Sequence, residues 1–234
     1  MNRAQERKRL VLFDIDGTLL TTNGLAKETF TQALHEVYRV PIRAHDYSFA
    51  GKTDLQIVHD IMRASGITEA EVNMGIDKLF GIILARLESI LTAETVSVYD
   101  GVFEILEAIA AENSCTLGLL TGNLERGAFL KLAPHGLNKY FRFGAFGSDA
   151  RLRAALPAIA IERAYHQSGK KFSGKEIVII GDTEHDIMCG AHLHVRPIAV
   201  ATGGTPYEEL QQHHPDYVFE DLRDTQRTLD AILA

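Results

Sequence analysis

Residues 11 to 18 read VLFDIDGT, and the two aspartates that close this apolar run are the first groups in the chain equipped for chemistry. A short apolar run without helical periodicity, ended by Asp and Gly, reads as a buried strand that stops at Asp14. Strand side chains repeat every second residue, so Asp14 and Asp16 start on one side, and Gly17 lets the chain turn without steric cost. Two carboxylates brought to one small volume repel, which calls for a cation or a shared proton. Mg²⁺ meets that need, because it takes a few carboxylate oxygens and completes its shell from water and phosphate. Two further segments carry matching chemistry. LLTGN at 119–123 offers the Thr121 hydroxyl, the Gly122 and Asn123 amides and the Asn123 side chain, all neutral partners for phosphate oxygens, especially if a helix opens at Leu124. IIGDTEHD at 179–186 offers Asp182 and Asp186, which share a side if a helix begins there and can then reach one cation.

Elements must bring these segments together. Strand-like runs recur at 115–120, 141–146, 176–181 and 196–201, with a weaker one at 216–220, and amphipathic segments lie between them at 101–113, 124–132, 157–168 and 186–193. Such alternation predicts an α/β fold, a doubly wound parallel sheet covered on both faces with right-handed crossovers. In that architecture ligands bind beyond the carboxyl ends of the strands, where strand order reverses, and all three chemical segments sit at strand ends. No G-x-G-x-x-G follows the first strand and no Walker lysine motif occurs, which removes the main support for dinucleotide and P-loop readings.

Residues 20 to 95 break the alternation. Helical stripes run through 24–38, 54–64 and 69–91 with no convincing strand, so the predicted organisation is an α/β core of residues 1–19 and 96–234 with an inserted helical cap of residues 20–95. An insertion beside a catalytic strand acts as a lid or forms a permanent layer on the sheet. The 234 residues, 46% hydrophobic, suffice for one full core and one small unit. With 24 basic against 31 acidic residues, a net charge of −7, the chain is a poor match for nucleic acid or an anionic membrane and a better one for small molecules. Cys115 and Cys189 lack C-x-x-C or metal spacing and read as buried free thiols of a reducing compartment. The basic start MNRAQERKR imitates a signal-peptide n-region, but the apolar stretch after it breaks at Asp14, and no stretch is long enough to span a bilayer; the expected location is the cytoplasm. Of the ten histidines, His185 reads as an exposed first-turn residue and His213-His214 as a surface loop, with no zinc site among them.

The ordered set D-x-D-G-T, T-G-N and G-D-T-x-x-D resembles the haloacid dehalogenase superfamily of phosphohydrolases, and the helical insertion is similar to that family's first-position cap, as in phosphoglycolate phosphatase-like members. The resemblance covers Asp14 to Asp186. It implies that Asp14 is the nucleophile and forms an aspartyl-phosphate, that Asp16 is the general acid and base, and that Mg²⁺ is held by Asp14, the Asp16 backbone carbonyl and Asp182, with Asp186 either a fourth carboxylate or a group behind these ligands. Thr121, Gly122 and Asn123 then hold the phosphoryl oxygens. Family members carry a basic residue that many of them place as lysine in a K-P-x-P context, whereas this chain has SDARLRAALPAIAIERA at 148–164 and no lysine between Lys139 and Lys170. Arg153 is assigned the role, with Arg151 the alternative. In similar capped phosphatases the loop between cap helices points into the site, which makes Lys52 of FAGKTD (49–54) a contact for a substrate carboxylate or second phosphate. The implied substrate is a small phosphorylated metabolite, phosphoglycolate or a sugar phosphate. A sugar phosphomutase of the same fold, or a non-enzymatic Mg²⁺- and phosphate-binding partner protein, are the competing readings. Relatives that act as dehalogenases or phosphonate hydrolases lack an acid at the position of Asp16, and many mutases place a hydrophobic residue where Thr18 stands.

Overall fold

A computed structural model of the chain describes residues 8–40 and 47–234; the start of the basic segment, residues 1–7, lies outside the described residues. In chain order the elements are β1 (Arg9–Phe13), β2 (Leu20–Thr21), α1 (Leu25–Tyr38), α2 (Asp54–Ala64), α3 (Glu69–Ile90), β3 (Ser97–Val98), α4 (Val102–Ala111), β4 (Cys115–Leu120), α5 (Glu125–Leu132), β5 (Gly144–Ala145), α6 (Leu156–Ser168), β6 (Ile177–Gly181), α7 (Glu184–Cys189), β7 (Arg196–Val200), α8 (Tyr207–Gln212), β8 (Tyr217–Phe219) and α9 (Thr225–Leu233). Six strands form one parallel sheet in the order β5-β4-β1-β6-β7-β8. β1 therefore lies between β4, from which the chain moves outward one way, and β6, from which it moves outward the other. Asp14 follows β1 directly, at the point where strand order reverses.

β1 shows why the sheet is covered on both sides. All five of its residues are buried; Leu10 and Leu12 face a cluster with Leu156, Ala160 and Ala164 of α6, while Val11 and Phe13 face one with Ile105, Leu106 and Ile109 of α4 and Ile232 of α9. The two-residue side-chain period of a strand thus feeds two separate hydrophobic layers.

Helices α1 to α3 form a third cluster of their own, built from Phe30, Leu34, Ile57, Met62, Leu79 and Ile83 among others. α2 and α3 open on Thr53 and Thr68, whose hydroxyls accept N–H bonds from Gln56 and Glu71, and Glu71 completes a capping box. The chain leaves the sheet and returns to it through an antiparallel pair, Leu20 opposite Val98 and Thr21 opposite Ser97.

That pair corrects the expectation of no strand after residue 20: two residues are too few to show a period. The run 141–146 also shrinks, to Gly144–Ala145 at the sheet edge, with the Phe143 carbonyl still accepting from the Leu119 amide at 3.1 Å and the Phe143 ring lying against Gly118. The helix expected over 186–193 starts earlier and ends at Cys189, followed by a tight turn over Ala191–Leu193. Among the described residues, no helix is long and apolar enough to cross a membrane.

Candidate active site

The sheet ends its ladder at the chemistry. The Asp14 amide donates to the Ile180 carbonyl at 2.9 Å, which ties the first aspartate to the strand that delivers Asp182. Asp14, Asp182 and Asp186 are buried, and each offers a carboxylate oxygen within 4.8 Å of the others. Burial, only partly offset by Arg153 and reinforced by the neighbouring carboxylates, pushes the Asp14 carboxyl up to about 7, and the same causes raise Asp182 well above the usual carboxylate range. A Cβ at Gly203 would overlap the Asp182 carboxylate, so the backbone closes directly over that group. The Thr18 hydroxyl donates to Asp182 Oδ1 at 3.3 Å. Three buried carboxylates, hard oxygen donors only, under a close backbone cradle, fit a small divalent cation.

Arg153 answers part of the negative charge. Its Nη2 lies 3.1 Å from Asp14 Oδ1, also pairs with Asp186 Oδ1, and donates to the Leu120 carbonyl at 3.2 Å. Burial alone would weaken its hold on the proton, but the Asp186 and Asp14 carboxylates outweigh that and strengthen it. Arg151 turns away and pairs with Glu69 of α3 at 3.1 Å. Asp186 is doubly engaged: its other oxygen accepts from the Thr183 amide at 3.1 Å and hydroxyl at 2.7 Å, closing the capping box that starts α7.

Asp16 departs from the picture of two converging carboxylates. Its carboxylate is not one of the cation-sized trio. Lys131 Nζ donates to both of its oxygens, at 2.8 and 2.7 Å, and Asn123 Nδ2 donates to Oδ2 at 2.7 Å. Lys131 also reaches Asn123 Oδ1 at 2.6 Å, and Asn123 Nδ2 reaches the buried Thr121 hydroxyl at 2.8 Å. The turn after Asp14 separates the two aspartates, and each receives its own cation. The motif order does not single out Lys131, because it places the family's basic residue between 148 and 164. The signal was present nonetheless: Lys131 follows Leu124 by seven residues and Ala128 by three, so it sits on the buried stripe of α5, where a lysine needs a partner.

The helical layer meets these strand ends through the FAGKTD loop. The Asp54 amide donates to the Gly122 carbonyl at 2.7 Å, and the Leu124 amide donates back to Asp54 Oδ2 at 2.8 Å. A Cβ at Gly122 would overlap the Lys52 carbonyl, so this close approach requires glycine. Loss of solvent pushes the Asp54 carboxyl up to about 6 despite the nearby Lys131. Thr53 is the cap of α2, while Asp54 reaches across the seam. Lys52 Nζ stands 3.9 Å from the Tyr47 ring centroid. Between the layers lies a cavity of about 460 Å³ whose floor includes Asp14, Asp16, Thr121, Asn123, Lys131, Arg153 and Asp182.

The family described as haloacid dehalogenase-like hydrolase matches residues 11–200. Pyrophosphatase PpaX of Oceanobacillus iheyensis is 25% identical over 220 residues, covering 92% of this chain and 94% of its own, and Pyrophosphatase PpaX of Listeria innocua is 28% identical over 216 residues, covering 92% and 93%. Among solved structures, a predicted phosphoglycolate phosphatase from Haemophilus somnus superposes with a TM-score of 0.70 at 21% identity, covering 96% of this chain and 99% of its own. A β-phosphoglucomutase from Clostridium difficile superposes at 0.74 with 14% identity and 96% coverage of both chains. These two structural likenesses concern the fold.

Proposed function

The chain belongs to the haloacid dehalogenase-like hydrolases, and on that premise we propose that it is a Mg²⁺-dependent phosphatase of a small phosphomonoester, acting through an aspartyl-phosphate on Asp14 under a helical cap formed by residues 20–95. The observation that carries this reading is the division of labour on the cavity floor: Asp14 lies against Arg153 and two further carboxylates, while Asp16 is held apart by Lys131.

Asp14 attacks phosphorus, and the bond from phosphorus to the leaving oxygen breaks as the carboxylate–phosphorus bond forms. Asp16 enters the first step as the carboxylic acid and gives its proton to the leaving oxygen; as a carboxylate it then takes a proton from the water that attacks the aspartyl-phosphate, which releases phosphate and restores both aspartates. Lys131 and Asn123 fix the Asp16 carboxylate in place for both transfers. Arg153 lines the cavity, and its buried Nε has no acceptor among the described residues, which suits it to a phosphoryl oxygen. The Thr121 hydroxyl and the Gly122 and Asn123 amides supply neutral donors around the same group. Asp14 and Asp182, with Asp186 beside them and the Asp16 carbonyl, would hold Mg²⁺, which when bound neutralises charge on the transferring phosphoryl group. Lys52, at the cavity edge, touches the far end of the substrate. Thr18, donating to Asp182, places a hydroxyl where many phosphomutases place a hydrophobic residue, which favours hydrolysis.

The test is phosphate release from a panel of phosphomonoesters with Mg²⁺ or chelator, run beside Asp14→Asn. Turnover that needs both Mg²⁺ and Asp14 supports the reading. No turnover of any ester by a folded, Mg²⁺-binding protein contradicts it.

A further inference from the structure

The floor of the cavity is polar, but its roof is hydrocarbon. Phe30 of α1, Phe49, Ile57 of α2, and Ile83, Leu84 and Leu87 of α3 line it, and four of these six are themselves part of the buried helical core. The Phe30 and Phe49 rings meet edge to face at 5.4 Å, which fixes the wall in shape. The two lysines near it lie over aromatic rings: Lys27 Nζ stands 5.1 Å from the centre of Phe49, and Lys52 Nζ 3.9 Å from that of Tyr47. A ring face attracts an ammonium without neutralising it, so both lysines keep their charge and the apolar surface is what the roof itself contributes.

A second phosphate pressed against this roof would shed water and receive hydrocarbon in return, an unfavourable exchange. An apolar group gains in the same place. The volume also exceeds what one phosphoryl group fills: about 460 Å³ falls within the range of sites that enclose a whole organic ligand.

We infer that the substrate's alcohol is an apolar body, an alkyl chain or aromatic ring of about hexyl or benzyl size, seated against the half-buried Phe49 and Leu84 with Phe30, Ile57 and Ile83 closing the wall behind them, and that pyrophosphate, which the PpaX relatives' name denotes, is a poor fit for this cavity. This inference rests on the phosphatase reading for the position of the phosphate, while the shape and chemistry of the roof stand independently.

Two parallel series on the Mg²⁺-loaded protein separate the two. Calorimetry measures binding of methyl-, butyl-, hexyl- and benzylphosphonate, which cannot be hydrolysed at the P–C bond by this chemistry, against pyrophosphate. Phosphate release measures kcat/KM for the corresponding alkyl and benzyl phosphates, whose leaving alcohols have similar basicity. Affinity and kcat/KM are expected to rise about fourfold per methylene until the roof is filled, with pyrophosphate no better than the methyl compound. Leu84→Gln, at a half-buried position, is expected to flatten both slopes. A slope in binding without any hydrolysis upholds this inference and overturns the phosphatase reading. Hydrolysis with no dependence on chain length, or pyrophosphate preferred over every ester, overturns this inference and leaves a phosphohydrolase standing.

Discussion

Floor and roof of the cavity are made on different principles. The ionisable groups of the floor are held by specific partners: Asp14 by Arg153, Asp16 by Lys131, and Asp182 by the Thr18 hydroxyl. The roof has shape and apolar area, with its lysines laid over rings. Fixed dipoles and charges select a reaction, because they must meet charge that develops at one place in the transition state. Hydrocarbon selects a substrate, because its contribution scales with area and ignores direction. The difference predicts that floor substitutions act on kcat and on the metal, and roof substitutions on KM.

The largest effect belongs to Asp14→Asn, expected to lower kcat by about a thousandfold or more on every ester. The same change removes a carboxyl that burial disfavours in its charged form, so the melting temperature in chelator should not fall. A parallel loss of activity and stability would mean that the floor is structural. Arg153→Met is expected to cost stability, about 3–5 kcal/mol by denaturant unfolding, since it leaves Asp14 and Asp186 facing each other without a counter-charge. Combining it with Asp186→Asn should recover part of that loss, whereas full additivity would contradict a shared network.

Lys131→Met should lower kcat by about ten- to a hundredfold, more for alkyl phosphates, whose leaving oxygen needs a proton, than for an aryl phosphate with a good leaving group. Equal loss on both would show that Lys131 supports the fold and not the position of Asp16. Asp54 sharpens the seam between floor and roof through pH. Its folded carboxyl is raised to about 6 from an ordinary value near 3.8, so between those values the folded state holds more protons than the unfolded one, and stability falls as pH rises. Asp54→Asn lacks that loss. Relative to wild type it should gain on the order of 1 kcal/mol between pH 4 and 8, a difference that cancels the shared behaviour of Asp14 and Asp182. The smallest effect is expected from Lys52→Ala: a severalfold higher KM for esters long enough to reach Tyr47, and none for methyl phosphate.

The strand ends were legible because their chemistry coincides with local pattern. VLF, LGLL and IVIIG are continuous apolar runs, the signature of strands buried on both faces, and each is followed directly by its polar residue. The sheet, its helices and the family followed from that coincidence. Lys131 did not, because it is ordered by tertiary contact: its partners Asp16 and Asn123 lie 115 and 8 residues away, and nothing in α5 marks it but a place on the buried stripe. Asp54 reads locally as a residue of the first helical turn, and only the docking of that turn on Gly122 turns its carboxylate toward Leu124. The short β2–β3 pair is likewise held by its partner and not by its own two residues.

The most direct test of the central claim is to quench the Mg²⁺-loaded protein in acid during turnover of a labelled phosphomonoester and locate the label by peptide mass spectrometry. The account predicts acid-stable, hydroxylamine-labile phosphate on the peptide carrying Asp14, absent from Asp14→Asn. Steady turnover with no label on that peptide, or label on another residue, would contradict it.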